Sequence, residues 1–328
     1  MGSVMIGVDK RKARAWSRMG PRAVYGQFLL KMACEDLKVL ALSADLGRSS
    51  GLAAFAKKLP SQFFNTGIAE QNLVGVSSGL ARMGYKVFST TFAPFASLRA
   101  GEQVRMNLGY MQEPVNLVAL ASGFALGFLG NSHFGIEDIA VMRAIPGITI
   151  VSPADCYELY KCLIAAKDFN SPVYIRLTGG VGMPVVYEED YSYQIGKAII
   201  VRPIEKLTII SHGTTVGHAL QAASQLEDDG IMVGLVNMHT IKPLDTDILN
   251  QVISKSEHIL VFEEHTVVGG LGSAILEYMN DTQQNGVVLH RHGVRDRFPR
   301  TGDYNYMLET LGLNSSGIKK AIIAIQNR

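Results

Sequence analysis

The chain is 328 residues long, 47% hydrophobic and 18% charged, with a formal net charge of +2. That length suits two domains at about 100–200 residues each, and so balanced a charge excludes nucleic-acid binding by bulk electrostatics. Cys34, Cys156 and Cys162 form neither a metal-ligand pair nor a disulfide framework, and no apolar run reaches the ~18 residues of a membrane span or resembles a signal peptide, so a cytoplasmic location is expected.

Residues 1–20 read as a basic N-terminal segment, with Lys10, Arg11, Lys12, Arg14 and Arg18 against the single acid Asp9, and the lone Trp16 among them. Cations at that density on a helix describe a solvated face or a subunit contact. From residue 37, short Val-, Ile- and Leu-rich runs alternate with helical stretches. LKVLALSAD (37–45), YKVFSTTFA (85–93), VNLVALAS (115–122), GITIVSP (147–153) and SPVYIRL (171–177) read as buried strands. Helices are predicted between them at 69–83, 95–110, 136–144 and 154–168. Such alternation builds an α/β domain whose mainly parallel sheet is covered by helices on both faces. Residues 179–196, GGVGMPVVYEEDYSYQIG, show no helical period and read as interdomain chain. Strands at 206–213, 231–238, 258–265 and 286–294 then alternate with helices near 215–229, 246–255 and 270–279, and helices close the chain. The predicted organisation is one α/β domain over 21–180, a linker over 181–198 and a smaller α/β domain over 199–328.

Several chemistries can be set aside. There is no GxxxxGK[ST] loop, and no GxSxG elbow carries a nucleophilic serine. GGLGS (269–273) opens a helix after a strand, and its glycines suit either an anion held on free N–H groups or close helix–sheet packing. The eight His residues lack HExxH or CxxC-type spacing, so no metal held by this chain's own side chains is expected. The stretch from Phe63 to Phe95, FFNTGIAEQNLVGVSSGLARMGYKVFSTTFAPF, is more informative. Gly67 turns into a helix whose first turn holds Glu70, and the next strand ends at Phe92 and Phe95. Taken alone, Glu70 complements the helix dipole and the two rings are core.

GIAEQ with two aromatics downstream resembles the pyrimidine-binding half of the transketolase family of thiamine-diphosphate enzymes. SADLGRSSG (43–51), GNSHFGIEDIAVMRAIPG (130–147), SPADC (152–156), SPVYIRL (171–177) and EEHTVVGGLGS (263–273) stand in that family's order, so the resemblance covers nearly the whole chain. It implies the smaller, C-terminal-type subunit of a split transketolase, with a pyrimidine-binding domain followed by a transketolase C-terminal domain. It implies that Glu70 activates the cofactor by bonding N1′ of its aminopyrimidine, exchanging a proton there. Phe92 and Phe95 would hold that ring, with Leu98 where a third aromatic is common, and Asp45 would lie near the cofactor. His133 matches the histidine that assists proton movement at the reacting oxygens. Arg22, Ser49 and Arg176, with His133, fall where substrate is held, and arginine's planar fork suits phosphate oxygens.

Two positions depart from that pattern. Ala121 stands where other members have a histidine, and Leu129 where they have an aspartate that reads a substrate hydroxyl. Substrate discrimination is therefore expected to differ. No GDG segment is present, so the metal and diphosphate sites for Mg and thiamine diphosphate are expected on an N-terminal-type partner subunit. The implied assembly is an α2β2 heterotetramer containing a homodimer of this chain. The implied reaction passes a two-carbon ketol unit from a ketose, phosphorylated or not, to an aldehyde. The β-subunit of a 2-oxoacid dehydrogenase and deoxyxylulose-phosphate synthase share the layout, and a non-catalytic structural or regulatory subunit remains a third reading.

Overall fold

The computed structural model describes residues 8–327, so the first seven residues of the predicted basic segment 1–20 and the last residue of 199–328 lie outside it. The apolar runs fold as β1 (Val39–Ser43), β3 (Lys86–Phe92), β4 (Val115–Ser122), β5 (Thr149–Val151) and β6 (Val173–Thr178), joined by the three-residue β2 (Phe63–Asn65). The second half supplies β7 (Ile199–Arg202), β8 (Leu207–Ser211), β9 (Gly234–Asn237), β10 (Thr240–Lys242), β11 (His258–Thr266) and β12 (Val288–Val294). One sheet has the order β10-β5-β6-β4-β3-β1-β2 and the other β12-β11-β8-β9-β7. Every pairing is parallel except β10 with β5 and β7 with β9. The α/β architecture with a mainly parallel first sheet is therefore as the sequence predicts.

The physical reason is burial on both faces. All eight residues of β4 are buried, so the strand needs a continuous apolar run rather than alternation. The register sets the carboxyl ends level: Ser43 lies opposite Asn65 and Thr90, and Phe92 opposite Leu120. The loops that carry the candidate residues Asp45 and Phe95 leave from this edge, where open parallel sheets bind ligands.

The two sheets share a core. Leu40, Leu42, Val87 and Leu117 pack in one apolar cluster with Ile210, Val236, Val261 and Leu271. Each such side chain stabilises by roughly 1.5–3 kcal/mol on burial, so the seam is part of the fold. β10 strengthens it, because a strand from the second half forms the edge of the first sheet. Residues 179–196 are also built into the seam. Tyr187 and Tyr191 stack with centroids 4.1 Å apart, and Tyr193 stacks on His239 at 4.5 Å.

The basic segment supplies a helix, Lys10–Met19, started by the Asp9 side chain, which accepts from the Lys12 N–H. Its buried face puts Trp16 edge-on to Phe28 at 4.8 Å, while the cations lie on the exposed face, Lys10 pairing with Glu188 at 2.7 Å. The stretch predicted as a helix over 95–110 is helical but wide-turned, with π-helical segments at Phe95–Arg99 and Val104–Tyr110. No helix among the described residues is long and apolar enough to cross a membrane.

Candidate active site

Glu70 opens the helix Glu70–Arg82 after a turn at Gly67, whose φ of +72° is in the region that favours glycine. Its side chain is only 4% exposed. Arg99 Nη1 donates to Glu70 Oε1 at 3.0 Å, and the same guanidinium lies 4.0 Å from the centre of the Phe95 ring. Phe92, at the end of β3, sits 5.9 Å from Phe95 between ring centroids. His133 completes the group, 5.8 Å from Phe92 and 5.4 Å from Phe95, both edge-on. Glu70, Phe92, Phe95 and His133, which the sequence places on three segments, are thus one cluster, and Arg99 is the member that sequence reasoning missed.

His133 is held by anchoring its loop at both ends. Gly123 and Gly135 exchange backbone hydrogen bonds of 2.7 and 3.0 Å. Phe124 and Phe134 pack edge-to-face at 5.0 Å inside the core of the second unit. The Ser132 hydroxyl lies 2.9 Å from His133 Nδ1. Ala121 adopts φ +54° where the β4–β6 register shifts, a conformation unusual for a residue with a Cβ.

Asp45 follows β1 with φ +58° and is fixed by Asn65. Asn65 Nδ2 donates to Asp45 Oδ1 at 3.1 Å, and Asn65 Oδ1 accepts from the N–H groups of Asp45 and Gly67, both at 3.0 Å. Asn65 therefore ties the end of β1 to the turn that presents Glu70. Leu98 is 59% exposed beside Arg99. Ile68, Phe128 and Leu129 are likewise exposed on these loops.

Arg22 and Ser49 come together at a second place, an open cavity of about 260 Å³ also lined by Arg48 and Gly180. Arg22 Nη1 donates to the Ser49 carbonyl at 3.2 Å. Arg48, unremarkable in sequence, puts a second guanidinium there.

Arg176 is not at either place. Its side chain has no exposed surface and its Nε donates to Asp138 at 2.9 Å. Its Nη2 donates to the carbonyls of Gly135 and Glu264 at 2.8 and 2.9 Å. Burial penalises its charge, but Asp138 more than compensates and raises its pKa. The expectation of an exposed phosphate contact is corrected accordingly: the guanidinium is enclosed between two domains and paired with Asp138, with only its Nη1 left without a hydrogen-bond partner.

The glycine loop resolves in the same way. Glu263 Oε2 accepts from the Leu271 N–H at 2.8 Å and Oε1 from the Gly272 N–H at 3.1 Å. A Cβ at Gly270 would run into that carboxylate, so the loop's anion is the chain's own. Burial pushes the Glu263 carboxyl up, yet His212, His265 and the Gly272 N–H together hold it below the ordinary range. Among the described residues no group of three or more His, Cys, Asp or Glu side chains is arranged to hold a metal ion.

Comparison with known proteins decides the family. Residues 18–181 match the model "Transketolase, pyrimidine binding domain" and residues 196–318 match "Transketolase, C-terminal domain". The chain belongs to the transketolase family. It is 37% identical over 306 residues to a putative transketolase C-terminal section of Methanocaldococcus jannaschii, covering 93% of this chain and 95% of that protein. It is also 37% identical over 303 residues to one of the subunits of the apulose-4-phosphate transketolase of Phocaeicola vulgatus, covering 92% and 96%. A solved structure described as a split gene transketolase, inactive beta4 tetramer, is similar at a TM-score of 0.83 and 35% identity, covering 93% of this chain and 97% of that one. This transketolase chain is thus of the C-terminal-section type, and the family implies thiamine diphosphate as its cofactor.

Proposed function

We propose that this chain is the pyrimidine-binding half of a two-chain transketolase that moves a two-carbon ketol unit from a phosphorylated ketose to an aldehyde. An N-terminal-type partner would carry the diphosphate and Mg sites, in an α2β2 assembly. The observation that carries the reading is the buried Glu70 carboxylate at the start of its helix, joined through the Arg99 guanidinium to the ring cluster of Phe95, Phe92 and His133. These residues fit an aminopyrimidine, offering aromatic faces for stacking and a carboxylate for a ring N–H. The cavity with Arg22, Arg48 and Ser49 suits a phosphate.

Thiamine diphosphate, when bound, supplies the nucleophilic carbon that attacks the ketose carbonyl. Glu70 would hold the cofactor's ring by its N–H and keep a proton there, in a site from which Phe92 and Phe95 exclude water. His133, on its anchored loop, would hold or move a proton at the substrate oxygens. Arg22, Arg48 and Ser49 would bind the phosphate end and so orient the reacting end. Exposed Ile68, Leu98, Phe128 and Leu129 supply the apolar surface that a partner subunit would cover.

The test is Glu70→Ala in the chain reconstituted with its partner. Turnover should fall by roughly 10²–10⁴-fold, with an unchanged circular dichroism spectrum and an unchanged assembly size. Full turnover in that variant would remove Glu70, and this reading, from consideration.

A further inference from the structure

Arg99 occupies the two contacts that the proposed function reserves for the cofactor. Its guanidinium is bonded to the Glu70 carboxylate at 3.0 Å and lies 4.0 Å from the centre of the Phe95 ring. A guanidinium is planar, cationic and rich in N–H donors. It therefore presents the same features to this pair that a protonated aminopyrimidine would: a flat face for the ring and an N–H for the carboxylate. Phe95 and Arg99 stand four residues apart in one helical turn, a spacing that puts the two side chains on the same face.

We propose that Arg99 is a resident placeholder, which satisfies Glu70 and covers Phe95 until the aminopyrimidine displaces it. The idea rests on the reading of Glu70 given above. Two features allow the exchange. The Arg99 backbone is tied to the Glu70 helix, its carbonyl accepting from Gln71 Nε2 at 3.3 Å, so the segment need not move. The side chain itself is 49% exposed and has solvent to swing into. Without such a counter-ion, a carboxylate 4% exposed would stand unpaired in the cofactor-free chain, which is costly. Cofactor affinity is correspondingly reduced by the fraction of molecules in which Arg99 is seated.

The experiment measures equilibrium binding of thiamine diphosphate, with Mg, to the two-chain complex carrying Arg99→Met, Arg99→Lys or Glu70→Ala. If the guanidinium is seated in nine molecules of ten, Arg99→Met should bind about tenfold tighter and associate faster. Arg99→Lys, which keeps the charge but loses the planar face, should fall between it and the native chain. The melting temperature gives a second readout: Arg99→Met should lower it in the cofactor-free complex and leave the cofactor-loaded complex unchanged. Weaker or unaltered binding in both Arg99 variants, with binding lost in Glu70→Ala, would overturn the placeholder while sparing the role of Glu70. Native-like binding in Glu70→Ala would overturn both.

Discussion

Two arginines of similar appearance in the sequence meet opposite fates. Arg22 remains half-exposed beside Arg48 and Ser49, whereas Arg176 is enclosed with Asp138, whose carboxylate also accepts from the Tyr174 hydroxyl at 2.9 Å. Removing one partner of such a pair leaves an uncompensated buried charge, which costs about 3–5 kcal/mol. Arg176→Met should therefore lower unfolding stability by that amount in urea titrations. A variant of native stability but raised KM for a phosphorylated ketose would instead return Arg176 to the substrate. The guanidinium's chemistry was readable from sequence; its burial was not, because Asp138 lies 38 residues away and Gly135 and Glu264 come from two different domains.

At the scale of elements, the helix starting at Leu271 shows how a glycine pattern underdetermines a site. Its N-terminal N–H groups attract an anion, and GGLGS exposes them, but nothing local says which anion arrives. β11 delivers Glu263 to that point, eight residues before Leu271. Gly270→Ala should therefore cost roughly 1–3 kcal/mol through overpacking against the carboxylate, measurable as a lowered denaturation midpoint. Native stability in that variant would mean that the loop has room for an external ligand. The helix over 95–110 gives a similar lesson. Its apolar spacing announced a helix, but neither the switch to i+5 bonding, seen in the Ala100 N–H bonded to the Phe95 carbonyl at 2.9 Å, nor the stacking of the Arg99 guanidinium on Phe95.

For the molecule as a whole, the domain seam contains a buried carboxyl. Glu158, beside the N-cap Asp155 of the helix Cys156–Lys167, accepts from the Ala154 N–H at 2.6 Å and from Asn237 Nδ2 of the second half at 2.9 Å. Burial pushes its pKa up to about 8. The folded chain then holds a proton there that the unfolded chain has lost above the ordinary glutamate range. The stability this group contributes is complete below that range and is lost as pH rises through about 8. The slope is at most about 1.4 kcal/mol per pH unit. Glu158→Gln, a neutral isostere, should unfold with a weaker pH dependence and gain on the native chain as pH rises from the ordinary glutamate range to about 8. Parallel stability–pH curves for the two would show that Glu158 is ionised in the fold.

The strands, the alternation that makes a parallel sheet, and the blocks that mark this family were all legible in the sequence. They are set by period and by near neighbours, which a linear string displays. So were Glu70, Phe92, Phe95 and His133 as chemical candidates, and the structure gathers them into one cluster. What only the folded chain decided was which charge meets which. Arg99 came to Glu70, Arg176 to Asp138, Glu263 to the glycine loop and Glu158 to Asn237. Most of those encounters join segments far apart in the chain, and a buried charge takes the partner that the packing supplies.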